Sequence, residues 1–179
     1  VAIVLQPEQL GDYLKNFAIK PKLVVTDSQV FEAVSKIVPK DIPLTGFSLL
    51  LARVKGAFQY YLDGIYNIDN LKDGDKILIL ESCTHHATCD DIGRVKIPNL
   101  LKKKSGKQLT FDIVGGLDTL PGDICSYSMV IQCGGCMITD RQLQSRLRPA
   151  IKAGIPVANY GMVIAYCTGI YNRAIEPLK

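Results

Sequence analysis

Lys76-Ile-Leu-Ile-Leu80 is a continuous apolar run after its first residue, and it leads directly into Glu81-Ser-Cys83-Thr-His85-His86-Ala-Thr-Cys89. A short unbroken run of this kind marks a strand covered on both faces, as in a parallel sheet. On the carboxy-terminal side the spacing predicts a short helix over 97–104, a strand over 109–114 closed by Gly115-Gly116, and another strand in Met129-Val-Ile-Gln132. Thr139-Asp-Arg-Gln142 has the spacing of a capping box, followed by Leu143, Leu147 and Ile151 on one helical face, with Pro149 expected to end or kink that helix early. A buried strand over 155–159 and a buried helix over 162–171 complete this half.

Working back toward the amino terminus, the same alternation recurs. Val1 to Leu5 is a short β-branched run, and Pro7 stands where a proline opens a helix through about Asn16. Leu23-Val-Val-Thr reads as a buried strand, with Asp27 and Ser28 as candidate caps for a helix whose face is Val30, Phe31, Val34, Ile37 and Val38. Residues 44–47 give a third strand, and Ser48 a cap for one long helix carrying Leu50, Val54, Phe58, Tyr61, Leu62 and Ile65. Asp69-Asn-Leu-Lys-Asp-Gly-Asp75 is polar and turn-prone, the best boundary in the chain. The fold class is therefore α/β, two consecutive units of alternating strands and helices, each with a mainly parallel sheet.

Composition narrows the function. With 47% apolar and 21% charged residues among 179, the chain is globular and not disordered. Its 21 basic against 17 acidic residues leave a net charge of +4, too small for an electrostatic nucleic-acid binder. The uncharged stretch 153–172 contains Pro156, Gly161 and Gly169, which argues for core and not for a membrane span. The amino-terminal residues lack the pattern of a signal peptide, so a reducing cytoplasm is expected, where six cysteines point to metal or redox chemistry before disulfides.

Two segments carry that chemistry. Cys133-Gly-Gly-Cys136 lies between a strand and a capped helix, and Glu81 to Cys89 leaves another strand. Both lie at carboxyl ends of parallel strands, where open α/β sheets place ligands. A CxxC alone fits a thiol-disulfide or iron-sulfur oxidoreductase, half a structural zinc site, or half a cluster site; the second segment, rich in Cys and His, favours a metal. Residue types leave zinc, with Cys83, His85, Cys133 and Cys136, and an iron-sulfur cluster both open. Cys89 reads as a bystander thiol, and Cys125 and Cys167, in apolar surroundings, as core. Arg94, Lys96, Lys102, Lys103, Lys104 and Lys107 read as a solvated face; Asp90 and Asp91 as helix caps.

The string Glu81-Ser-Cys-Thr-His-His with Asp90-Asp-Ile-Gly-Arg-Val-Lys-Ile-Pro98, the later Cys133-Gly-Gly-Cys-Met137, and Gly154-Ile-Pro-Val-Ala-Asn-Tyr-Gly161 resemble the FeFe-hydrogenase maturation factor family HydF. That family carries C-x-H, a long spacer and H-C-x-x-C. Here Cys83-Thr-His85 is followed by 46 residues and then Gln132-Cys133-Gly-Gly-Cys136, so glutamine stands where the pattern has histidine. The resemblance covers essentially the whole chain, and it implies a dimerisation domain over 1–71 and a cluster-binding domain over 72–179. The family's P-loop GTPase domain has no counterpart here, so the chain is expected to be the non-enzymatic carboxy-terminal portion.

The same resemblance implies a 4Fe-4S cluster on Cys83, Cys133 and Cys136 with one exchangeable iron position. His85 is the first candidate there, then Glu81, His86 and Asp90. The implied role is a scaffold that takes a di-iron precursor from other hydrogenase maturases and delivers it to apo-FeFe-hydrogenase. Self-association is expected; nucleic acid and membrane are not expected partners.

Overall fold

The computed structural model describes residues 1–16, 19–82 and 92–179. Helix α1 (Pro7–Asn16) opens at its proline. Strand β1 (Val24–Thr26), helix α2 (Phe31–Ile37) and strand β2 (Leu44–Gly46) follow, and β1 and β2 pair in parallel with Val24 opposite Leu44. Helices α3 (Phe47–Val54) and α4 (Phe58–Gly64) then lead through a 3-10 turn (Ile65–Asn70) to strand β3 (Lys76–Leu80). A π-helical turn (Ile92–Lys96) runs into helix α5 (Ile97–Ser105), followed by strands β4 (Thr110–Val114) and β5 (Met129–Gln132). Helix α6 (Asp140–Lys152), strand β6 (Val157–Asn159) and helices α7 (Tyr160–Cys167) and α8 (Tyr171–Ile175) end the fold.

The second sheet has the order β4-β3-β5-β6, with every pair parallel. Strand β3 is followed in sequence by β4 on one side, and the chain then returns to place β5 on the other. The direction of winding therefore reverses between β3 and β5, which makes their carboxyl ends the expected ligand crevice of an open α/β sheet. Ile77, Leu78, Ile79 and Leu80 are fully buried, as are Met129 and Ile131, which accounts for the apolar runs.

The two sheets share one apolar core, continuous from Phe31 and Val34 to Leu147 and Ile175. Polar ties cross the seam. Thr45 Oγ1 donates to the Ala174 carbonyl at 2.8 Å, and Arg173 donates to the carbonyls of Ser35, Val38 and Pro39. Lys96 Nζ reaches the carbonyls of Ser28 and Gln29. Gly64 sits against β6 so closely that a Cβ would lie 2.1 Å from the Val157 carbonyl oxygen.

The α/β class with parallel sheets is as the alternation indicates, and several local expectations are corrected. Residues 1–5 form no strand: Val1 and Val4 are exposed, and a strand needs a pairing partner. The long helix expected from Ser48 is two helices, because Gly56 adopts φ +80° after the Lys55 cap, a left-handed stop that favours glycine. Its cap position is Gly46, and Asp27 closes a turn by accepting from Gln29 N instead of capping α2. Pro149 sits inside α6, which continues to Lys152 with Thr139 and Gln142 forming the capping box. The buried segment after β6 is likewise broken, at Gly169.

Candidate functional site

The register of β3 and β5 pairs Leu80 with Gln132, and Cys133 N donates to the Leu80 carbonyl at 2.9 Å. The two chain segments singled out by the sequence therefore leave the sheet side by side. Cys133 is buried, and its sulfur accepts three N–H groups: Ser82 N at 3.0 Å, Gln132 Nε2 at 3.4 Å and Gly135 N at 3.4 Å. N–H donors converging on one sulfur orient it and suit it as a metal ligand. Gly135 has φ +64°, which turns its N–H back toward that sulfur, and a Cβ there would lie 2.7 Å from Leu143 Cδ1. Cys136 ends the turn at an exposed position.

Gln132 is fully buried. Its amide donates to Ser82 Oγ at 2.6 Å as well as to Cys133, while its Oε1 has no partner among the described residues. Glu81 forms an ion pair with Arg94, Nη2 to Oε2 3.0 Å, with its side chain only 13% exposed. A Cβ on Gly93 would meet both Tyr160 Oη at 2.3 Å and Glu81 Oε1 at 2.7 Å, so the π-helical turn is pressed into the crevice beside the start of α7.

The wall comes from α3 and from the corner between β6 and α7. Ser48 Oγ donates to Asn159 Oδ1 at 2.8 Å, and Gly161 N donates to the same oxygen at 2.9 Å. A Cβ on Gly161 would lie 2.7 Å from Leu49 Cδ1, which explains the glycine at that corner. The buried Lys55 donates from Nζ to the Gly135 carbonyl at 2.6 Å and to that of Ile138, fixing the turn that holds both cysteines. Burial, and then the charge on Cys133, pushes the Tyr61 phenol far above its usual range. Arg146 is pulled down by its burial and held up by the negative charges of Cys133 and Asp118.

Of the sequence-selected residues, Glu81, Cys133 and Cys136 lie at this crevice, as do Tyr160 and Gly161. Cys83, His85, His86, Cys89, Asp90 and Asp91 lie outside the described residues. Cys125 is exposed, on a 3-10 turn (Ile124–Ser126), and is not the core thiol that its apolar neighbours suggest; those neighbours reach the core and the cysteine does not. Cys167 is partly buried, and burial raises its thiol to about 12. The basic run lies largely at the surface, in keeping with a solvated face: Arg94, Lys102, Lys103 and Lys104 are exposed, with Lys102 over the Phe111 ring and Lys104 over Tyr166, while Lys107 pairs with Asp73.

Sequence reasoning missed Lys55, Arg146, Ser82 and Asn159. Arg146 left a usable signal, a charged residue on the stripe of Leu143, Leu147 and Ala150; Lys55 left none, since a lysine beside a helix-ending glycine is ordinary.

No helix among the described residues is long and apolar enough to cross a membrane. Among them, likewise, no group of three metal-ligating side chains stands together. Residues 1–56 match the family model described as the hydrogen maturase F dimerization domain, and residues 59–177 match that of the hydrogen maturase F tetramerization domain. The two matches meet at the break between α3 and α4, while the polar connection at 69–75 lies further along the chain. A comparison with curated proteins found no match.

Proposed function

The chain belongs to the hydrogen maturase F family, and on that premise we propose that it is a non-enzymatic scaffold holding a 4Fe-4S cluster at the carboxyl ends of β3 and β5. A role in hydrogenase maturation and self-association through dimerization and tetramerization domains come with the family. The cluster, its cargo and the further partners are our reading. In it the chain works in the cytoplasm, receives a di-iron precursor from other hydrogenase maturases and passes it to apo-FeFe-hydrogenase. In this reading GTP hydrolysis is the work of a P-loop domain of the family and not of the two domains matched here.

The observation that carries the reading is the Cys133 sulfur, buried at the winding reversal and surrounded by three N–H donors from both strand ends. The residues present suit such a group. Clusters are held by thiolates whose potential is set by hydrogen bonds to sulfur and by burial. Cys133, Cys136 and Cys83 are the ligands in this reading. When bound, the cluster supplies an iron whose remaining position exchanges.

His85 is the first candidate for that position, followed by Glu81, His86 and Asp90. Glu81 would have to give up its pairing with Arg94 to serve. Gln132 keeps a donor on Cys133 where the family has histidine, so it orients the ligand without contributing an imidazole. Lys55 holds the carbonyls of the turn and so fixes the separation of its two cysteines.

Anaerobic reconstitution with iron and sulfide tests the reading. Brown protein with a reduced-cluster EPR signal is expected, and Cys133→Ser should lose it. Colourless protein with tightly bound zinc would overturn the reading in favour of a structural zinc site, and catalytic reduction of a disulfide in favour of a redox enzyme.

A further inference from the structure

Arg146 interrupts an otherwise apolar stripe of α6, and it is 7% exposed. Its Nη1 donates to the Asp118 carbonyl at 3.1 Å, in the segment that leaves β4. Its Nε and Nη2 are buried and have no hydrogen-bond partner among the described residues. A guanidinium does not escape this by losing its proton, because it stays charged in proteins. Native interiors rarely leave such donors idle, and a buried cation calls for a compensating anion.

Position says where that anion belongs. Asp118 follows β4, Cys133 follows β5, and β3 lies between them in the sheet. Arg146 thus ties α6 to the segment that follows β4, with β3 between that strand and the one that leads to Cys133, and the negative charge of Cys133 acts on it. A planar fork with two free N–H groups suits two acceptor atoms of an anionic group.

Resting on the scaffold reading above, we propose that Arg146 is a buried cationic subsite beside Cys133, receiving through its Nε–H and Nη2–H the acceptor atoms of an anionic group held by thiolates. The acceptors are either the sulfides of the cluster itself or a small anion on its exchangeable iron. A fixed positive charge favours the more negative, reduced form, so its removal lowers the reduction potential.

The test uses anaerobically reconstituted protein as wild type, Arg146→Gln and Arg146→Lys, with iron content checked in each. In an EPR-monitored redox titration without added anion, Arg146→Gln should lower the reduced-to-oxidised ratio at fixed potential about tenfold, which is about 59 mV for one electron. Arg146→Lys, which keeps the charge, should stay near wild type. That pattern assigns the acceptors to the cluster. If the potential holds but cyanide binds about tenfold more weakly to Arg146→Gln, the acceptor is the small anion, and the subsite stands.

A glutamine variant with wild-type potential and wild-type cyanide affinity overturns the proposal, as does a lysine variant displaced as far as the glutamine one. Where glutamine prevents loading, Arg146→Met, which suits the apolar stripe, is read in its place. Wild-type protein that takes up no cluster would sink the scaffold reading first, before any variant is compared.

Discussion

In the four-stranded sheet Ile77, Leu78, Ile79 and Leu80 are fully enclosed, whereas in the two-stranded sheet Val24 and Val25 stay half-buried and the cover includes α8, from the far end of the chain. The first unit is too small to enclose a core of its own, since two strands seldom stand alone. It borrows α8 through Thr45 and Arg173, and in return supplies α3, whose Ser48 and Lys55 brace the crevice of the other sheet. It also leaves Ile37, Phe47 and Val54 exposed, which accords with the dimerization domain matched there. One sheet builds the site, and the other holds it and presents apolar surface.

The sharpest way to break the larger sheet is at its contact with α4. Gly64→Ala puts a Cβ 2.1 Å from the Val157 carbonyl oxygen, backbone against backbone, so neither side can swing away. A loss of about 3 kcal/mol is expected, at the top of the range for overpacking. Gly115→Ala, with nothing within 4 Å of its Cβ, should cost under about 0.5 kcal/mol. Urea midpoints of the two variants decide it.

The seam comes next. Lys55→Met removes the cation from the carbonyls of Gly135 and Ile138 and should cost about 2 kcal/mol, the scale of a hydrogen bond to a charged group. Amide exchange should then rise around residues 134–138. If it rises only at the chain ends, the brace is not what holds the turn. Arg173→Met acts on the smaller sheet, and because its carbonyls are partly exposed about 1.5 kcal/mol is expected. Faster exchange confined to residues 24–46 would match the account.

The smallest effect is chemical. Burial raises the Cys167 thiol to about 12, so at pH 8 it stays protonated, and the thiolate is the reactive form. The sign follows: a raised thiol value means slower alkylation below that pH, with reactivity recovering only as pH climbs toward it. Iodoacetamide at pH 8 should label the exposed Cys125 and Cys136 first by mass spectrometry. Equal labelling of Cys167 would show that α7 is less enclosed than described.

These contrasts also mark what was legible beforehand. Met129 to Gln132 and the Thr139 capping box were readable because each is a local signal, an apolar run and a side chain reaching its own helix. Placing the candidate residues Glu81, Cys133 and Cys136 at carboxyl strand ends followed from alternation alone, and the observed order adds a winding reversal between β3 and β5. Features settled by distant partners were not readable. The helix break at Lys55 and Gly56 goes with Nζ reaching a turn some 80 residues on. The exposure of Cys125 depends on which side of one short turn faces the core.

The central claim is that Cys133, cradled by three N–H donors at the reversal point, is an iron-sulfur ligand. Anaerobic reconstitution of wild type and Cys133→Ser, followed by iron and sulfide analysis with EPR of the reduced samples, tests it most directly. The account predicts a brown wild-type protein with a cluster signal, and a Cys133→Ser protein that is folded, nearly colourless and without that signal. A Cys133→Ser protein carrying a normal cluster would contradict it.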